Sequence, residues 1–285
     1  MSSIGKTIRM SRLIEPATGA SIICALDHGM TAPQFPSRLA DIRSRTREAI
    51  AGGANTLMLS RGMADKVVDC FTPTTALALM LTASAARRPG GARVVPIGQV
   101  EEALRLGADG VVVYVALAQG DEDEMIRFLA QVGEACGREG MPLIAEAEFP
   151  DAYMPATERS ADLGADYLQR NVRVCCELGA DIVKVNWSGD EETFAEIVAA
   201  STVPVVVAGG AVVRDVDLLE RLEAARRSGA IGCSVGRNIF EHESPEAMTR
   251  AIGRVMRDGL PASVAANELS AALESRDVVG GRAAV

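Results

Sequence analysis

Of the 29 basic residues in the chain only three, Lys6, Lys66 and Lys184, are lysine, and Lys184 sits inside an apolar run, Asp181-Ile-Val-Lys-Val-Asn-Trp187. If the run is a strand, alternation of side chains places Val183 and Val185 on one face and Ile182, Lys184 and Asn186 on the other. With the valines against covering helices, the amine points to the inner side of the sheet. Lysine is rarely buried without a partner, and arginine, which this chain prefers elsewhere, makes the better fixed ion pair. A buried lysine is needed where the amine must shed its proton. Burial can lower an ammonium pKa by about 3 units, leaving free amine to form a Schiff base with a ketone. A structural lysine–carboxylate pair is the alternative.

Asp27 closes the apolar run in Ala25-Leu-Asp-His-Gly29. A carboxylate there can pair with an iminium or move protons while a carbinolamine forms and dehydrates, or it can simply cap the following loop. His28 falls on the opposite side and reads as a structural histidine. In Pro142-Leu-Ile-Ala-Glu-Ala-Glu-Phe-Pro150 alternation separates Ala145 and Ala147 from Ile144, Glu146 and Glu148, so two carboxylates enter one interior. Tyr114, the lone polar group of Val111-Val-Val-Tyr-Val115, shares a face with Val112. It is a further candidate acid or base, or an ordinary hydrogen-bonded core tyrosine. The chain has only two histidines, His28 and His242, and its six cysteines lack paired spacing, so neither a metal site nor a cofactor is expected. The cysteines read as reduced, mostly buried apolar residues.

Two glycine-bearing segments, Val205-Val-Val-Ala-Gly-Gly210 and Ser234-Val-Gly-Arg-Asn-Ile-Phe240, each suit a tight turn. As a pair after the last two strands of a barrel they form a phosphate site, with the backbone N–H groups of Gly209, Gly210 and Gly236, a helix N-terminus and the Arg237 guanidinium converging on the anion. Such a local trap explains how a chain of net charge −9 holds an anionic substrate. The same charge opposes binding to nucleic acid or an anionic membrane.

These residues need a scaffold that brings strand ends together. Eight short apolar runs fit strands: Ile22 to Leu26, Thr56 to Leu59, Leu77 to Leu81, Gly110 to Val115, Pro142 to Ala147, Asp181 to Val185, Val203 to Val207 and Ile231 to Val235. Between them lie helical patterns, as in Arg38 to Gly52 (Leu39, Ile42, Thr46, Ile50) and Asp162 to Leu178 (Leu168, Val172, Cys175). Continuous rather than alternating apolar strands imply parallel strands covered by helices, and 285 residues over eight units is about 36 each, the size of a (β/α)8 TIM barrel repeat. A weak internal repeat, Gly53-Ala-Asn, Gly107-Ala-Asp, Gly179-Ala-Asp and Gly229-Ala-Ile, marks helix ends running into strands. An open doubly wound sheet is the competing fold, but no Gly-x-Gly-x-x-Gly follows the first strand. The expected α/β organisation is an N-terminal helical segment (1–20), one barrel (21–260) and a C-terminal helix with a mobile tail (261–285), Ser84 to Arg93 being an exposed loop. No apolar run reaches the length of a membrane span, the longest being runs such as Ala76 to Ala86, and the N-terminus lacks a signal-peptide layout, so a cytoplasmic protein is expected.

Taken jointly, Ala25-Leu-Asp-His-Gly29, Asp41-Ile-Arg with Gly52-Gly-Ala-Asn55, Val100-Glu-Glu-Ala103, Gly140-Met-Pro-Leu-Ile-Ala145, Gly179-Ala-Asp-Ile-Val-Lys184, Ala208-Gly-Gly210 and Val235-Gly-Arg-Asn-Ile-Phe240 resemble the archaeal-type class I aldolases. That group includes fructose-bisphosphate aldolases and aminodideoxyheptulosonate synthases, and the resemblance spans about Ile22 to Gly259. It implies a barrel in which Lys184 forms the Schiff base, Asp27 assists, and the glycine loops with Arg237 bind phosphate. It also implies a homo-oligomer, often a decamer. The departure is in the fifth strand, where the family's Tyr-Pro-Arg-Gly is replaced by Phe149-Pro-Asp-Ala152. Phenylalanine cannot transfer a proton, so that duty passes to Glu148, Glu146, Tyr114 or Tyr153, or the reaction differs. The missing arginine argues against unmodified fructose-1,6-bisphosphate. The expected activity is aldol addition of a dihydroxyacetone phosphate-type donor to an aldehyde such as aspartate semialdehyde. Fructose-bisphosphate aldolase or aminodideoxyheptulosonate synthase proper, lysine-assisted acyl transfer to coenzyme A and a non-catalytic phosphate-binding barrel are the alternatives.

Overall fold

The computed structural model describes residues 4–84, 93–117, 122–150 and 163–282, with side chains as far as residue 275. Its strands are β1 (Ser21–Ala25), β2 (Thr56–Leu59), β3 (Ala76–Met80), β4 (Thr82–Ser84), β5 (Val94–Pro96), β6 (Gly110–Val115), β7 (Leu143–Ala147), β8 (Ile182–Val185), β9 (Val205–Ala208) and β10 (Gly232–Val235). The helices of the first half are α1 (Ile4–Leu13), α2 (His28–Thr31), α3 (Ile42–Ala51), α4 (Arg61–Lys66), α5 (Val100–Arg105) and α6 (Glu122–Glu139). Those of the second half are α7 (Ala165–Glu177), α8 (Glu191–Ala200), α9 (Asp215–Arg227), α10 (Arg237–Phe240), α11 (Pro245–Met256) and α12 (Ala262–Arg282).

Eight of the strands close into a parallel barrel in the order β1-β10-β9-β8-β7-β6-β3-β2. Each coincides with one of the eight runs read from the sequence, displaced by at most two residues at either end. The alternation holds as well. Ile23, Met58, Ala78, Met80, Val112, Ile144, Ile182 and Val206 fill the barrel, while Val113, Ala145, Val183, Val185 and Val207 face the helical layer. The four glycines of the internal repeat all have positive φ, between +75° and +102°, which only a residue without a Cβ takes up at low cost where a helix turns back into the sheet.

The third residue of that repeat has a second task at the amino end of the barrel. Asn55 Oδ1 accepts the Ile22 amide at 2.7 Å, Asp109 Oδ2 the Leu77 amide at 3.1 Å, and Asp181 Oδ2 the Leu143 amide at 2.9 Å. The same three side chains hold α1: Asn55 donates to the Arg12 and Leu13 carbonyls, Arg12 pairs with Asp109 and Lys6 with Asp181. Leu13, fully buried, joins the interior apolar cluster and plugs this end.

Two features differ from the sequence reading. Thr82–Ser84 and Val94–Pro96 pair antiparallel as a separate two-stranded sheet, so the expected loop begins inside β4; its interior, 85–92, lies outside the described residues. The glycine-rich segment from Val278 continues α12 as far as Arg282. The six cysteines are free thiols, five of them buried, and no helix among the described residues is long and apolar enough to cross a membrane.

Two glycines one turn apart in α6 provide a test of helix packing. A Cβ on Gly133 would lie 2.1 Å from the Leu178 carbonyl oxygen at the end of α7, whereas one on Gly137 meets nothing within 4 Å. Gly133→Ala should therefore cost about 2–3 kcal/mol, and Gly137→Ala should add about 0.5–1 kcal/mol. Thermal unfolding of the two variants should move Tm in opposite directions, by roughly 2–4 °C per kcal/mol.

Candidate active site

The expected polar residues gather at the carboxyl ends of the barrel strands. In register, Tyr114 on β6 pairs with Glu146 on β7, and Glu146 with Lys184 on β8. Glu148 is one residue past β7 and Asp27 two residues past β1. Lys184 Nζ donates a hydrogen bond to Glu146 Oε1 at 2.5 Å. Glu148 Oε1 lies 2.8 Å from the same nitrogen without hydrogen-bond alignment, and it is a buried oxygen with no hydrogen-bond partner among the described residues. Asp27, Glu146, Glu148 and Lys184 are all at most 9% exposed.

This arrangement corrects the expectation that burial leaves Lys184 as a free amine. Burial does push the ammonium pKa down, but Glu146, Glu148 and Asp27 outweigh it and hold the group well above its ordinary value. The displaced proton affinity appears on the acids. Burial, reinforced by Glu148 and Asp27 against the opposing pull of Lys184, lifts Glu146 from 4.5 to about 8. Asp27 is raised too, by burial first, with Lys184 acting against it. Three carboxylates cannot all ionise around one buried cation. At neutral pH the cluster holds an ammonium together with a protonated acid.

Backbone clamps position the end of β7. The Glu148 carbonyl accepts from Tyr167 Oη at 3.2 Å and Asn171 Nδ2 at 3.3 Å, and the Phe149 amide donates to Asn186 Oδ1 at 2.7 Å. The Tyr114 hydroxyl donates to the Phe149 carbonyl, a contact that makes it part of this clamp. Tyr153 lies outside the described residues.

The glycine loops sit at the same end, Gly209-Gly210 after β9 and Gly236-Arg237 after β10. Gly210 has φ +72°, and a Cβ on Gly236 would come within 2.3 Å of the His28 ring and 2.7 Å of the Ala25 carbonyl oxygen. His28 thus bridges the lysine cluster and this loop. Its ring packs edge-on against Phe240 at 5.1 Å, and burial, with Arg237 and Lys184 nearby, lowers its pKa to about 3, so it is neutral at physiological pH. The sequence reading missed Asn171 and Asn238, and gave Asn186 its face but no role. Asn238 was signalled only by its place beside Arg237, Asn171 by a buried amide within an apolar helical pattern, and Asn186 by its position just past the Lys184 strand.

Three comparisons bear on this geometry. Residues 21–242 match the model of the DeoC/LacD family aldolases. The 2-amino-3,7-dideoxy-D-threo-hept-6-ulosonate synthase of Halobacterium salinarum is 34% identical over 260 residues, 90% of this chain and 94% of that protein. The 2-amino-4,5-dihydroxy-6-oxo-7-(phosphonooxy)heptanoate synthase of Streptomyces griseus is 35% identical over 246 residues, 85% and 87% of the two chains. Among solved structures, a Schiff-base-forming fructose-1,6-bisphosphate aldolase superposes with TM-score 0.77 at 27% identity, covering 88% of this chain and 99% of that one. An archaeal fructose-1,6-bisphosphate aldolase with its catalytic lysine bound to the carbinolamine intermediate gives 0.76 at 26% identity over 88% and 99%. With its eight-stranded barrel, its buried lysine and a match over most of its length, the chain belongs to the DeoC/LacD family of aldolases.

Proposed function

We propose that the chain is a class I aldolase that joins a dihydroxyacetone phosphate-type donor to a small aldehyde such as aspartate semialdehyde through a Schiff base on Lys184. The observation that carries this reading is the Lys184 ammonium held between Glu146 and Glu148 at 2.5 and 2.8 Å inside the barrel. The product named for the Streptomyces griseus relative supports the substrate class. Cutting its chain between carbons 4 and 5, next to the carbon-6 ketone, gives a phosphorylated three-carbon ketone and a four-carbon amino-acid aldehyde.

In this reading Lys184 passes a proton to a neighbouring carboxylate and the amine attacks the donor ketone. The carbinolamine loses water, and the resulting iminium withdraws electrons from the adjacent C–H bond. Glu148, whose Oε1 has no hydrogen bond in the resting site, takes that proton. The enamine carbon then attacks the aldehyde, the new alkoxide is protonated by the same carboxyl, and water releases the product. Asp27 and Glu146 compensate the iminium charge. Gly209, Gly210, Gly236 and Arg237 hold the phosphate, with Tyr114 as a support of β7. The carboxylates on Lys184 supply the proton transfer that the absent tyrosine would perform, which removes the ground for a non-catalytic barrel. A homo-oligomer, as the resemblance implies, working in the cytoplasm completes the reading.

Lys184→Met should abolish turnover and the borohydride-trapped adduct with dihydroxyacetone phosphate, by mass spectrometry, while circular dichroism retains the barrel. A trapped adduct in that variant would refute the mechanism. Turnover should decline as pH rises through about 8, where Glu146 gives up the proton needed to expel the carbinolamine hydroxyl. Glu146→Gln should lose this falling limb together with most of the rate, as read from the pH profile of its residual kcat. Arg237→Ala should reduce kcat/KM for the phosphorylated donor by about 10- to 100-fold, a charge-assisted contact, and affect dihydroxyacetone much less. Equal losses on both donors would place Arg237 outside the phosphate site.

A further inference from the structure

We propose that Asn238, seconded by Arg221, orients the Gly209–Gly210 peptide so that its N–H is presented to the substrate phosphate; the inference rests on the phosphate reading above. Asn238 is 5% exposed and spends its whole side-chain amide on the loop after β9. Nδ2 donates to the Ala211 carbonyl at 2.9 Å and to the Gly209 carbonyl at 3.3 Å, while Oδ1 accepts the Val213 amide at 3.0 Å. Arg221, reaching from α9, donates through Nη1 to the same Gly209 carbonyl at 3.3 Å. It forms no ion pair among the described residues. The other side of Gly209 is fixed as well: its amide donates to the Ser234 carbonyl at 2.9 Å, and a Cβ on it would lie 2.9 Å from Val235 Cγ1.

The consequence follows from peptide geometry. In a planar trans peptide the C=O and the next N–H point in opposite directions. Two donors on the Gly209 oxygen therefore fix the Gly210 N–H facing away from them, and no residue among those described accepts it. A hydrogen-bond donor held in place before the ligand arrives loses nothing to reorganisation on binding. Asparagine suits this role because one rigid amide both donates to two carbonyls and accepts from an N–H, whereas aspartate would set an oxygen against those carbonyls. Asn238 also belongs to α10, next to Arg237, so it fixes the spacing of the two halves of the phosphate site. It is a positioning residue, acting through the loop.

Asn238→Asp, Arg221→Met and Arg221→Lys would be compared with the native enzyme in steady-state kinetics on dihydroxyacetone phosphate and dihydroxyacetone, and in inhibition by inorganic phosphate. For Asn238→Asp and Arg221→Met the KM for the phosphorylated donor and the inhibition constant of phosphate should each rise about tenfold, the worth of one oriented hydrogen bond. Their kcat should fall less than twofold and dihydroxyacetone use should stay within twofold, while Arg221→Lys keeps most of the phosphate affinity. Equal losses on both donors would mean that the two side chains only hold the fold, and would overturn the proposal. Unchanged phosphate affinity in both variants, with Arg237→Ala still impaired, would overturn it and leave the phosphate site standing. Unchanged affinity in Arg237→Ala as well would remove the phosphate reading itself. If Asn238→Asp does not fold, the half-buried Arg221 pair decides the matter alone.

Discussion

The structure turns on one electrostatic constraint: a lysine and three carboxylates enclosed by apolar walls. Desolvating any one of these charges alone costs several kcal/mol, and the group is tolerable only because each ionised member sees an opposite charge and the surplus acid keeps its proton. Lys184 must therefore be on the strand beside Glu146, with Glu148 two residues further along the same face. That requirement reaches down the barrel. Below the charged level the inward positions are Val112, Ile144 and Ile182, and Val206 stands in register with Lys184 itself, so the neighbours of the cluster along the barrel are apolar. An unmatched carboxylate is still a burden on stability, of the kind that active sites impose and the rest of the fold offsets.

The opposite end is tied together by side chains. Asn55, Asp109 and Asp181 each take a strand amide and anchor α1, which closes the barrel with Leu13. Of the three lysines, Lys6 is a fixed ion-pair partner there and Lys184 carries the site, so the two ends use the same residue type for opposite purposes. The amino end is held by pairs that gain from staying put. At the carboxyl end one buried ammonium stands among more acids than it can neutralise.

Much of this was readable from the chain. Alternation in Val183-Lys184-Val185 and in Ala145-Glu146-Ala147 depends only on the pleat, so the inward direction of Lys184, Glu146 and Glu148 followed from their neighbours. Proton affinities did not follow, because the Lys184 ammonium answers to three carboxylates on, or just past, two other strands, and their number around one nitrogen is a property of the closed barrel. Burial alone suggested a free amine; the assembled cluster reverses the direction. The β4–β5 pair escaped notice for a different reason, since three-residue strands carry too little pattern to stand out. Tyr114 shows the limit of parity: the strand gives its face but not that its hydroxyl is taken by the Phe149 carbonyl.

The glutamates also bear on how a barrel of this family can work with phenylalanine at position 149. Forming an iminium from an ammonium and a ketone sheds two protons from nitrogen, and both leave on the carbonyl oxygen as water. Each must be relayed from one atom to the other. A single tyrosine would have to act twice, whereas Lys184 Nζ already has two carboxylates within 2.8 Å, Glu146 engaged through a hydrogen bond and Glu148 unaligned. With Glu146 raised to about 8, that acid starts loaded with a proton at neutral pH, while Glu148 presents to the same nitrogen an oxygen that no hydrogen bond occupies. In the proposed mechanism two acids beside one nitrogen, one hydrogen-bonded to it and one not, divide between them the two directions in which protons must travel, the work that a phenol at the end of β7 would otherwise do.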